Sequence, residues 1–178
     1  MLDLAQQPLV AIPAASLAQL RAAVTRDGSD PGPFQDAGYV AGAGLYDAFV
    51  EGLRQQGVAS PEQLDVAAAQ EHAAAFFRAS GWGEVRFEPL GVVVAVDSDR
   101  WREADTAARL DHPGCVFSTG LLAGFFGRLA DAPLAALEVE CRSMGAQRCR
   151  FLLGSVDALD GVYQEMAQGG DYAAAVGE

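Results

Sequence analysis

Residues 111–154 read DHPGCVFSTGLLAGFFGRLADAPLAALEVECRSMGAQRCRFLLG and contain all three cysteines of the 178-residue chain. Cys115, Cys141 and Cys149, with Glu138 among them, form a C-x22-E-x2-C-x7-C array. Zinc takes four ligands in a tetrahedron and accepts thiolate sulfur and carboxylate oxygen together, so four such groups suffice for one ion. The spacing lacks the C-x2-C pair that makes zinc sites easy to recognise. Buried cysteine also serves as a small apolar filler, which is the competing reading of all three.

The local pattern places these residues on defined elements. Pro113 opens a helix predicted over 114–130 with Leu121, Leu122, Phe125, Phe126 and Leu129 around most of its circumference, the mark of an interior helix. Cys115 then falls in the first turn, where the helix dipole favours a thiolate. Gly120 and Gly124 make a ridge of small residues that invites a close neighbour. Runs 134–142 and 147–153 read as strands about a turn at Ser143–Ala146, with Gly145 available for a positive φ, so Cys141 and Cys149 flank a hairpin. The fourth ligand stays open on this reading, because Glu138, Glu140 and His112 all lie near a cysteine. Strict alternation sends both glutamates to the face opposite Cys141, and Glu138 joins the cysteines only where the strand bulges or ends.

Upstream, Gly91–Val96 (GVVVAV) reads as the most buried strand, and 84–88 alternates as a half-buried one, suited to a hairpin. Asp97–Asp99 ends the apolar run, and 100–110 reads as one or two helical turns bearing Trp101. Ser60-Pro61-Glu62-Gln63 has the form of a capping box opening a helix to about Ala79. Its His72 lacks a second histidine at i+4 and reads as an ordinary surface residue. A helix over 34–56 is expected to bury Tyr39, Ala43, Tyr46, Val50 and Leu53, while Gly38, Gly42, Gly44 and Gly52 weaken it by about 1 kcal/mol each. Close approach of another helix offsets that cost. A short helix over 16–25 precedes the Pro-Gly linker at 27–33, and a last helix follows Gly154. Three units result: an N-terminal arm and helix over 1–33, suited to dimerisation; one domain over 34–168; and a frayed tail over 169–178. Helices at both ends with strands between give an α+β fold, a small antiparallel sheet covered by helices.

Charge narrows the partners. Twelve positive residues, all arginine, stand against 24 acidic ones, and a net charge of −12 opposes binding to nucleic acid or an anionic membrane. No window reaches the ~18 uncharged apolar residues of a membrane span, and the N-terminus lacks a basic secretory start. The expected location is the cytoplasm, where an odd number of thiols stays reduced. No nucleotide-binding glycine motif occurs, so a self-sufficient hydride-transfer enzyme is not expected.

HPGCVFSTGLLAGFF followed by EVECRSMGAQRCRFLLG resembles the 4-vinyl reductase (4VR) domain family, also found as the sensor part of bacterial phenol-responsive regulators. The likeness is dense over residues 81–155 and weaker back to Phe34. It implies a fold like the subunits of TRAPP-type trafficking complexes, a homodimer, and a structural Zn2+ held at Cys115, Glu138, Cys141 and Cys149. It also implies a non-catalytic binding or sensor module for a small hydrophobic or aromatic molecule, its pocket between helices and sheet. Tyr46, Phe49, Phe76, Trp82, Trp101, Phe125 and Phe126 are the candidate lining. The family's name suggests two alternatives: a carrier or accessory protein for a (bacterio)chlorophyll-type tetrapyrrole, or reduction of its vinyl group. An assembly subunit with a filled core is a third.

Overall fold

The computed structural model describes residues 9–177. Four strands, β1 (Arg86–Leu90), β2 (Val93–Ser98), β3 (Ala135–Glu140) and β4 (Cys149–Gly154), form an antiparallel sheet in the order β1-β2-β4-β3. Six helices surround it: α1 (Ala14–Val24), α2 (Gly32–Gln55), α3 (Val66–Ala79), α4 (Val116–Leu129), α5 (Val156–Ala167) and α6 (Tyr172–Val176). The α+β architecture expected from the order of elements is the one observed. Both faces of the sheet are covered, so β4 is buried at every residue. Alternation divides its side chains: Phe151 and Leu153 join the core beneath α4, and Leu152 joins a second cluster with Leu159, Val162 and Val176.

The α2–α4 crossing fixes the scaffold, and here the expected burial changes. On α2 the buried face carries Phe34, Gly38, Gly42, Leu45, Phe49, Gly52 and Leu53, whereas Tyr39 is exposed. A Cβ at Gly42 would collide with the Leu121 carbonyl, and one at Gly120 with that of Gln35. The two backbones therefore touch through glycines on both helices. A search for apolar side chains misses a face whose fit depends on having none.

Other boundaries moved for local reasons. Pro61–Gln63 is a single 3-10 turn without a side-chain cap, after which Leu64 is extended and packs against the core. Asp65 then caps α3, accepting from the Ala68 N–H at 2.8 Å. β2 does not stop at Asp97 but continues through Ser98, because Arg150 across the strand pair satisfies the buried carboxylate (Nε to Oδ1, 2.8 Å). Residues 100–113 form turns without helix. The expected frayed tail is instead α6, capped by Asp171 and held by Val176 in the second cluster and by the Tyr172 hydroxyl donating to Glu140 at 2.5 Å. Of the N-terminal arm, residues 1–8 lie outside the described residues. α1 is seated on the body by buried Leu17 and by Arg21, whose Nη1 donates to the Gly114 carbonyl at 2.8 Å. No described helix is long and apolar enough to cross a membrane.

Candidate metal centre and apolar groove

Cys115 is the residue capping α4 rather than part of its first turn, and β3 and β4 bring the other three groups to it. One ligand atom from each of Cys115, Glu138, Cys141 and Cys149 lies within 4.8 Å of the others, and all four residues are buried. The two conditions for Glu138 to join are both met: the register of β3 against β4 shifts between Glu138 and Glu140, and the strand ends before Cys141. The competitors are elsewhere. His112 is 71% exposed and pairs with Asp111, and Glu140 accepts from Arg148 at 2.9 Å. His72, half-buried on α3, is also outside the cluster.

The donor set fits a tetrahedral ion. Cys115 Sγ lies 3.9 Å from both Cys141 Sγ and Cys149 Sγ. Sulfurs about 3.8 Å apart are what Zn–S bonds of ~2.3 Å in a tetrahedron require, and a disulfide needs ~2 Å. Glu138 Oε2 accepts from the Cys115 N–H at 2.8 Å, while Oε1 is buried without a partner. An orphaned buried carboxylate oxygen beside three sulfurs is costly unless a cation meets it. The electrostatics agree. Burial, followed by the nearby Cys141 sulfur, pushes the Glu138 carboxyl well above its ordinary range. Hydrogen bonds from Cys115 and Cys149 lower the Cys141 thiol and correspondingly raise that of Cys115. Four acidic groups cannot all ionise side by side, and a divalent cation removes that conflict.

A second buried carboxylate, unmarked by any motif, secures the same helix end. Glu103 accepts from the N–H groups of Phe117 (3.1 Å) and Ser118 (2.7 Å) and from the Ser118 hydroxyl, and burial raises its pKa to about 7. Trp101 Nε1 donates to Ser118 Oγ at 2.6 Å. Glu103 thus supplies, from a distant loop, the cap that Cys115 does not provide. Only its contacts in the fold identify it.

The seven aromatic residues expected to line a pocket mostly fill the core. Phe125 lies at centroid distances of 4.9 to 5.8 Å from Phe49, Phe76 and Phe77, leaving no ligand space among them. Tyr46 packs its edge on Phe125, and Trp82 stacks between Trp101 and Phe117 near the start of α4. Phe49 and Phe76 also edge a groove of about 240 Å³ with His72 and Arg78. Phe126 alone of the seven reaches the larger space, a groove of about 470 Å³. It lies between the start of α3, the β1–β2 hairpin and the C-terminal end of α4, with Val66, Ala69, Phe87, Val94, Leu129 and Leu134 among its walls. This exceeds the ~300 Å³ lower bound for small-molecule sites. Aliphatic residues carry no sequence signal that separates such walls from core.

Comparisons with known proteins accord with this fold. The vinyl-4-reductase (4VR) domain family matches residues 97–155, which include the whole Cys3Glu array, as the resemblance implied. No curated protein sequence matches the chain. The phenol-responsive sensory domain of the transcription activator PoxR, solved with phenol, aligns at a TM-score of 0.66 and 18% identity, covering 89% of this chain and 82% of that one. A vinyl-4-reductase family protein from Methanocaldococcus jannaschii aligns at 0.55 and 18% identity, covering 84% and 85%. Both likenesses concern the fold.

Proposed function

We propose that this chain is a zinc-stapled, non-catalytic binding or sensor module for a small hydrophobic or aromatic molecule, held in the 470 Å³ groove. One observation carries the reading. A single helix, α4, ends in a closed cluster of four acidic ligands at its N-terminus and borders an open hydrocarbon groove at its C-terminus. Phenol binding by the PoxR sensory domain, built on the same fold, supports a small aromatic occupant.

At the cluster, Cys115, Glu138, Cys141 and Cys149 would hold the zinc, and four protein ligands leave no position for water or substrate. The ion would serve as a staple between α4 and the β3–β4 connection, its binding energy counting as folding energy. Free thiols of this kind suit a reducing compartment such as the cytoplasm.

Native mass spectrometry of the purified protein tests the staple, with one zinc per chain and the mass of a homodimer expected. Glu138→Gln should lower metal retention, whereas His112→Ala and Glu140→Gln should not. A metal-free, fully folded protein with three titratable thiols would overturn the assignment.

A further inference from the structure

Resting on the reading of the groove as the ligand site, we infer that its occupant is an uncharged molecule with a flat aromatic body and one hydrogen-bonding group set against Gln70. The walls define the body. Phe87 and Phe126 meet edge to face at 5.6 Å and 77°, and aliphatic side chains supply most of the remaining surface. Rings pack well against such a pair.

The polar residues define the rest. Four polar side chains line the groove: Glu62, Asp65, Gln70 and Ser155. Asp65 and Ser155 are occupied as helix caps, accepting from the N–H groups of Ala68 (2.8 Å) and Ala158 (3.2 Å). Glu62 is exposed, and a hydrogen bond from Ser60 lowers its pKa, keeping it anionic at neutral pH. Gln70 is half-buried and uncharged, and its amide makes no hydrogen bond among the described residues. It is therefore the group free to recognise a ligand, and an amide serves either a donor or an acceptor.

Charge excludes the alternatives. No arginine, histidine or lysine lines the space, two carboxylates stand on it, and the chain carries a net charge of −12. A carboxylate or phosphate would be repelled and left without a counter-ion. A cation gains little, because Glu62 and Asp65 are exposed and their attraction is screened, while its burial against hydrocarbon is costly.

Isothermal titration of the metal-loaded protein with four naphthalene probes tests this. 2-Acetylnaphthalene should bind at least tenfold more tightly than 2-naphthoate or 2-naphthylmethylammonium. Gln70→Leu should weaken the ketone about 3- to 10-fold, the size of one neutral hydrogen bond, and leave unsubstituted naphthalene within twofold. Gln70→Glu, a second variant of nearly the same shape, should shift preference toward the ammonium probe. Equal or tighter binding of either charged probe, or a Gln70→Leu effect equal on ketone and hydrocarbon, would overturn the inference and leave the groove intact as a site. If no probe binds, the reading of the groove fails and the inference fails with it.

Discussion

At its N-terminal end α4 meets four acidic groups gathered within 4.8 Å and shut away from solvent, whereas at its C-terminal end Phe126, Leu129 and Ala130 face open space. The two regions lie about eleven residues, or roughly 16 Å, apart along the helix. The first concentrates polar groups where burial makes them costly, and the second leaves apolar surface where water can reach it. Each arrangement is unfavourable alone, and each is relieved by something added: a cation at one end, an uncharged molecule at the other. Rigidity belongs to the closed end and exchange to the open one. The helix between them lets the staple keep the groove in shape without touching what binds there.

Removing the cation is the most severe way to break this contrast. Structural zinc contributes on the order of 10 kcal/mol or more of apparent binding energy, comparable with the whole stability of a domain. Treatment with a strong chelator, or Cys141→Ser, should abolish the cooperative melting transition in circular dichroism, and 2-acetylnaphthalene binding should vanish with it. A chelated protein that melts as before would show that the closed end is not a staple.

Next in size is damage to the shared helix. Gly120→Ala places a methyl group against the Gln35 carbonyl, where only backbone movement can relieve the clash. Overpacking of this kind costs about 3 kcal/mol. Metal retention and probe binding should fall together, the signature of a defect between the two ends, and parallel measurements on one preparation would check it.

A pH dependence sharpens the closed end further. The Glu103 carboxyl, with a folded pKa of about 7 against an ordinary 4.5, keeps its proton in the folded chain after the unfolded chain has released it. The folded state thus binds more protons between those values. The stability Glu103 contributes is full below about pH 4.5 and is lost as pH rises to about 7. Glu103→Gln cannot titrate, so its stability relative to the unaltered protein should climb across that window. The metal's own pH dependence is common to both proteins and cancels from the difference. Urea denaturation at pH 5 and pH 7.5 reads it, and a constant difference would remove Glu103 from the account.

How much of each region was legible in the sequence follows from the same chemistry. Cysteines and a carboxylate at fixed spacing are rare and reactive, so the cluster could be named in advance. Choosing Glu138 over Glu140 and His112 on residue pattern alone required a bulge that alternation does not predict. The sheet and α4 followed from periodicity. The buried face of α2 did not, because Gly38 and Gly42 contribute by lacking side chains. Asp97 read as the end of a strand because its partner, Arg150, is 53 residues away in sequence. Tyr172 read as part of a frayed tail, although its hydroxyl ties α6 to the sheet. Large aromatics drew attention as pocket walls, yet their size is what lets them fill the core. The groove persists where valine, alanine and leucine leave space.

The smallest expected effect on stability falls at the open end, and there the contrast is most exposed to refutation. Ala69 is half-buried on α3 and faces the groove. Ala69→Phe would place a ring in the volume assigned to a ligand without crossing α4 or approaching the cluster. Its packing against groove hydrocarbon offsets the side-chain entropy it loses, so stability should change by no more than about 1 kcal/mol. Zinc content and melting temperature should match the unaltered protein while 2-acetylnaphthalene binding is lost. Retained binding would move the site elsewhere, with the 240 Å³ groove beside His72 the next place to look. Loss of metal together with binding would mean that the two ends are one cooperative site, and that the division of labour along α4 is wrong.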